Sequence, residues 1–325
     1  MKRWILMIFC IVFLCGCSRD AAAPAATEQA EQSLQQETAD TVPLPVTQPP
    51  EEQLPAPPVS IVLRPEPSGT ARISCEDAVI DYSHAEDGYV MVCYTGQTES
   101  RLKVQTTDSK TTYTYNLIPE QWAVLPLSEG DGIYRVSIYR NVGGTRYATV
   151  LSGEISVELR DEFAPFLRPN QYVNYLEAPA AVEKGALLCA GLEDTLKKVE
   201  AVYDFVVGTL RYDYDKASSV KSGYLPVLDE ILAAEKGICF DYAALMTAML
   251  RSQQIPCKLV VGYAGSTYHA WISVWTEENG WVDGAIFFDG QAWRRMDPTF
   301  ASTQPQNQEI QEFIENGNYK EKYLY

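Results

Sequence analysis

Cys239 is the residue on which reactive chemistry is most readily built. It follows Gly237-Ile238 and precedes Phe240-Asp241-Tyr242-Ala243-Ala244-Leu245-Met246-Thr247-Ala248-Met249-Leu250-Arg251, a run rich in Ala, Met and Leu that predicts a helix opening at the cysteine. Unpaired amides and the dipole at that end favour an anion, so a nucleophilic thiolate is expected there when a cation such as a protonated histidine stands near. A histidine is available in Tyr268-His269-Ala270-Trp271-Ile272-Ser273-Val274-Trp275, which alternates as a strand with His269, Trp271, Ser273 and Trp275 on one face. Asp297 lies in a further strand-like stretch, Ala292 to Thr299, and adjoins His269 only if the two strands are neighbours. Each residue also has a plain role open to it: Cys239 as a small buried hydrophobe, His269 as a strand histidine, Asp297 as a turn former before Pro298.

The elements that must position these residues divide the chain in two. Leu192, Leu196, Val199, Val202, Tyr203, Val206 and Val207 fall on one face of a helix ending around Gly208, and a second helix is expected from Leu228 to Ala234. Helices followed by antiparallel strands give an α+β unit over residues 160–325. Residues 60–159 have mostly a period of two. Ala78 to Asp81, Tyr89 to Tyr94, Leu102 to Thr106, Thr111 to Leu117, Tyr134 to Tyr139 and Tyr147 to Leu151 read as short strands. Turn sequences at Glu129-Gly130-Asp131-Gly132 and Asn141-Val142-Gly143-Gly144 complete the pattern of an N-terminal immunoglobulin-like β-sandwich. That half holds no catalytic grouping. His84 reads as a solvated loop residue.

The ordered set Gly237-x-Cys239-x-Asp241-x-Ala243, Leu250-Arg251, Ile255-Pro256, Gly262-Tyr263, His269-Ala270-Trp271, Trp281 and Asp297-Pro298-Thr299 resembles the transglutaminase-like superfamily, with its papain-like cysteine-peptidase core. The likeness runs from about Leu192 to Phe300. It implies Cys239 as the nucleophile, His269 as general base and acid, and Asp297 as the carboxylate that orients the imidazole. The backbone N–H of Cys239 would supply one oxyanion donor, and Tyr212 or Tyr214 is a weak candidate for the second. Trp271 and Trp281 are expected as core aromatics, Met246, Met249 and Leu250 as core packing, and Asp241 as a structural acid in the first helical turn.

The N-terminus addresses the chain to a membrane. Lys2 and Arg3 precede an apolar run from Trp4 to Leu14, too short to span a ~30 Å hydrocarbon layer but suited to a signal over residues 1–16. Leu14-Cys15-Gly16-Cys17 resembles a bacterial lipobox and implies lipidation of Cys17. Residues 17–59 read as a disordered tether: from Ser18 to Val59 there are eight prolines, one Arg against seven acids, and no aromatic residue. A formal charge of −17, or −19 once Lys2 and Arg3 are removed, repels phosphate backbones and disfavours nucleic acid. Two histidines and no CxxC pair argue against a zinc site, and no cofactor is expected. Of Cys75, Cys93, Cys189, Cys239 and Cys257 at least one must stay unpaired; Cys75 with Cys93 is a possible bridge.

These readings converge on a lipid-anchored extracytoplasmic cysteine enzyme acting on peptide or glutamine amides of a protein or cell-wall peptide. Its thioester would be resolved by water or by an amine. The alternative is a non-catalytic surface binding or adhesion module on the same scaffold.

Overall fold

Alternation in Leu102–Thr107 and Thr112–Leu117 is borne out as two paired strands that bury Leu102, Val104 and Thr106 with Tyr113, Tyr115 and Leu117. They belong to a set of eight in a computed structural model that describes residues 59–283, 286–288, 293–295 and 319–325. The expected signal, Cys17, all but one residue of the expected tether, and Asp297 lie outside the described residues. The strands are β1 (Arg72–Ser74), β2 (Ala78–Asp81), β3 (Tyr89–Tyr94), β4 (Leu102–Thr107), β5 (Thr112–Leu117), β6 (Ala123–Pro126), β7 (Gly132–Gly143) and β8 (Arg146–Val157). They form two antiparallel four-stranded sheets, ordered β1-β2-β3-β6 and β5-β4-β7-β8. β7 and β8 run longer than their alternation suggested because they form one long hairpin. Gly143 and Gly144 supply positive φ at its turn, where a side chain would be strained. His84 sits in a loop but is not simply solvated: its ring stacks on Tyr89 at 5.3 Å and its Nδ1 lies 3.0 Å from Asp87 Oδ2.

The second half supplies α1 (Pro179–Cys189), α2 (Thr195–Thr209), β9 (Arg211–Tyr212), α3 (Tyr214–Ser219), α4 (Leu228–Ala234), β10 (Lys236–Gly237) and α5 (Cys239–Arg251). α2 begins three residues later than its apolar face suggests because Asp194 caps it, its carboxylate accepting the Lys197 N–H at 3.0 Å. After α5 come β11 (Cys257–Ala264), β12 (Thr267–Thr276), β13 (Gly280–Asp283), β14 (Ile286–Phe288), β15 (Trp293–Arg295) and β16 (Tyr319–Leu324). β13-β12-β11-β16 form an antiparallel sheet, and β14 pairs with β15. α5 is the central helix. It packs on β11 and β12 on one side and on α1, α2 and α4 on the other, so every residue from Asp241 to Arg251 is buried. The result is a mixed α/β architecture.

One continuous apolar core runs from the N-terminal sheets to α5 and its sheet. Tyrosines join its parts: Tyr325 meets Tyr113, Tyr115 and Tyr172 at 5.5, 5.9 and 4.3 Å between ring centres. At the end of α5 the Arg251 guanidinium, 0% exposed, donates to the carbonyls of Cys257 (2.9 Å), Arg168 (2.7 Å) and Tyr325 (2.6 Å). Those bonds tie α5 to β11, to the segment after the sheets and to the chain following β16.

Gly262 shows how tightly β16 is laid against β11. A Cβ there would run into the Lys320 carbonyl and come within 2.9 Å of Trp271 Cη2. Backbone cannot give way as a flexible side chain can. Gly262→Ala is therefore expected to destabilise the fold by about 1–3 kcal/mol, read as a lowered urea midpoint at unchanged slope.

Candidate active site

The start of α5 is built without a side-chain cap from Ile238, whose side chain has no acceptor. The Ile238 carbonyl accepts from the N–H groups of Asp241 (2.8 Å) and Tyr242 (3.1 Å), and Asp241 reaches back to accept the Ile238 N–H at 2.8 Å. That return bond explains the glycine two residues before the cysteine. Asp241 lies over Gly237, where a Cβ would stand 2.7 Å from the Asp241 Cβ. The approach to the helix is fixed by a short parallel pairing of β10 with β9, Gly237 opposite Tyr212, and by the Asp213 N–H donating to the Gly237 carbonyl at 2.8 Å.

Cys239 is thus the first residue of α5, partly exposed and packed against the core. The other described cysteines are also thiols: Cys75 is exposed, while Cys93, Cys189 and Cys257 are buried, so Cys75 and Cys93 are not bridged. Burial pushes the thiols of Cys93 and Cys189 up, and that of Cys257 up to about 11, which suits packing rather than reaction.

β12, on which α5 packs, carries the candidate base. His269 stands opposite Gly262 of β11, is 6% exposed, and lies nearly parallel to the Trp271 ring at 6.4 Å. Its neighbour Tyr268 is raised above the usual tyrosine range, chiefly by burial, then by Tyr323, Tyr263 and Cys239. α5, which Cys239 opens, packs along β12. Along the strand, Ala270, Ile272 and Val274 join the core with α5, and His269, Trp271 and Ser273 occupy the alternate positions. The third expected member, Asp297, is among the residues the structure does not describe.

Trp271 sorts with the core as the sequence suggested, whereas Trp281 is only half-buried. Trp271 is 1% exposed, and Met246, Met249 and Leu250 are fully buried. Trp281 packs on Phe163 and Phe166 and takes the Lys258 ammonium on its face at 3.8 Å. Tyr214, 67% exposed, stands edge-on to Tyr212 at 4.9 Å beside the segment leading to Cys239. Two residues at this site had no signal of their own in the sequence. Lys216 and Tyr224 both bond the Asp241 carboxylate, Lys216 Nζ at 2.6 Å from Oδ2 and the Tyr224 hydroxyl donating to Oδ1 at 2.6 Å.

Among the described residues no group of His, Cys, Asp and Glu is arranged to hold a metal ion, and no helix is long and apolar enough to cross a membrane.

Residues 186–284 match the transglutaminase-like superfamily, a stretch that includes Cys239 and His269 and stops short of Asp297. The chain is 30% identical over 142 residues to a UPF0252 protein of Methanocaldococcus jannaschii, covering 39% of this chain and 37% of that one. It is 29% identical over 111 residues to a protein-glutamine gamma-glutamyltransferase of Pseudomonas aeruginosa, covering 28% of this chain and 17% of that one. The matches thus span little more than a third of the first relative and about a sixth of the second. Among solved structures, the periplasmic domain of TgpA from Pseudomonas aeruginosa aligns at 15% identity over 74% of this chain and 100% of that one, with a TM-score of 0.33. With its cysteine at the head of the central helix and its histidine on the strand beneath, the chain carries a transglutaminase-like superfamily domain over residues 186–284.

Proposed function

We propose that this chain is a lipid-anchored, extracytoplasmic cysteine enzyme that makes a thioester from a peptide or glutamine amide. Cys239 attacks the amide carbonyl carbon as the thiolate, and His269 as imidazolium gives its proton to the departing amine. Asp297 orients the ring, and the Cys239 N–H donates to the developing oxyanion. Water then releases the acid, or a second amine forms a new amide, with His269 accepting the incoming proton. The scheme needs no metal or organic cofactor. The substrate is a protein or peptide, with cell-wall peptides the first class to try, and Cys17 carries the lipid.

The observation that supports this reading is the position of Cys239: partly exposed, first in a buried helix, beside the strand that bears His269. The helix end favours the anion that the reaction needs. We read residues 60–159 as an immunoglobulin-like sandwich that presents this domain. Its sheets share a core, and the chain crosses between them from β3 to β4, β5 to β6 and β6 to β7.

Mass spectrometry of candidate wall peptides and proteins, incubated with native protein and with Cys239→Ala, tests the proposal. Loss of ammonia, gain of water or crosslinking is expected with native protein and absent with the variant. Identical products from both would overturn it.

A further inference from the structure

The carboxylate of Asp241 is an awkward neighbour for a nucleophilic sulfur. It is 0% exposed, two residues from Cys239, and bonded to the N–H of the residue just before it. An acid in the first turn stabilises a helix, but an unbalanced negative charge there opposes a second anion at the same helix end. Lys216 supplies the balance. Its ammonium lies 2.6 Å from Asp241 Oδ2, 2.6 Å from the Tyr224 hydroxyl and 4.4 Å from the centre of the Tyr224 ring. Tyr224 in turn donates to Asp241 Oδ1. Burial first and the Asp241 bond second push this hydroxyl well above the ordinary tyrosine range, so it serves as a donor across the working pH range.

We propose that Lys216 is a positioning residue for Cys239: by pairing with buried Asp241 it cancels the carboxylate's charge at the start of α5 and leaves the helix end free to favour the thiolate. The proposal rests on the reading of Cys239 as the nucleophile.

The neighbouring charges leave this task to Lys216. On β10, Lys236 is paired with Asp213 at 3.2 Å. Asp213 also fixes where Lys216 stands, since its carboxylate accepts the Lys216 N–H at 2.9 Å and caps α3. The backbone N–H of Lys216 first, and then Lys236, hold the Asp213 carboxyl below its usual range. Asp215 lies in the first turn of α3, and Glu230 of α4 acts on Tyr224. Tyr172 reaches this region through Phe240, and from the sheet side Tyr268 is influenced by Cys239. Removing Lys216 therefore takes away the ammonium paired with the buried Asp241 carboxylate, two residues from the sulfur.

The test is the pH dependence of iodoacetamide alkylation at Cys239, followed by peptide mass spectrometry on the full chain. Lys216→Met is expected to raise the pH of half-maximal rate by about one unit, a loss of about tenfold below that pH, with the alkaline plateau unchanged. Asp241→Asn is expected to lower it, and Lys216→Met with Asp241→Asn together to return it near the native value. Lys216→Arg keeps the charge and is expected to keep the profile. An unmoved profile in Lys216→Met overturns the proposal. So does a rise in Asp241→Asn, which would mark the network as a structural brace, and that variant decides alone if Lys216→Met does not fold. Native Cys239 that alkylates only after denaturation would instead defeat the reading of Cys239 as nucleophile.

Discussion

Replacing His269 by glutamine is expected to lower kcat/KM for the amide substrate by about 10⁴-fold or more, while Cys239 still alkylates at alkaline pH. The imidazole is assigned two proton transfers, to the leaving amine and from the incoming nucleophile, and glutamine can make neither. In comparable triads, removing the nucleophile or the histidine alone costs nearly as much as removing the whole set. Glutamine keeps a polar group of similar reach in a position that is only 6% exposed, which limits damage to the strand. The measurement is steady-state turnover of the peptide identified with native protein, alongside alkylation of the same preparation. A loss below tenfold would separate His269 from the chemistry.

Arg251→Met is expected to cost the fold about 3–5 kcal/mol, a large share of the 5–15 kcal/mol that holds a typical domain. The guanidinium is wholly buried and satisfies three carbonyls on three different segments. Burial pulls it down to about 10, so it remains charged at neutral pH. Methionine fills most of the volume yet takes the guanidinium donor away from all three acceptors, leaving the Tyr325 oxygen with only the Leu259 N–H at 2.9 Å. Lysine fares little better, because one ammonium cannot reproduce a planar fork aimed at carbonyls on three sides. Urea denaturation of the purified protein measures the change, and a loss under 1 kcal/mol would show that the carbonyls find other partners.

Much of this architecture is legible in the sequence wherever a local period survives. α5 is read from its Ala, Met and Leu run, and β4 and β5 from strict alternation. β1, β6 and α1 leave fainter traces. The first two are strands of three and four residues, and α1 has no clear polar face to separate from an apolar one. β16 is missed because its lysines and tyrosines describe an edge strand whose partner lies far away in the chain. The site divides the same way. Cys239 and His269 announce themselves by residue type and setting, whereas Lys216 and Tyr224 acquire meaning only when folding carries them 25 and 17 positions along the chain to Asp241.

β16 also sets an order of events. In a nascent chain β11 and β12 can pair as soon as both have emerged, but β11 then presents an open edge, the kind of surface that recruits stray strands. The same delay leaves Arg251 short of one of its three carbonyls. Arrival of the segment ending in Tyr325 closes the edge and completes the guanidinium's ligands in one step. Completion of the sheet that bears the histidine thereby waits on residues made after the cysteine helix.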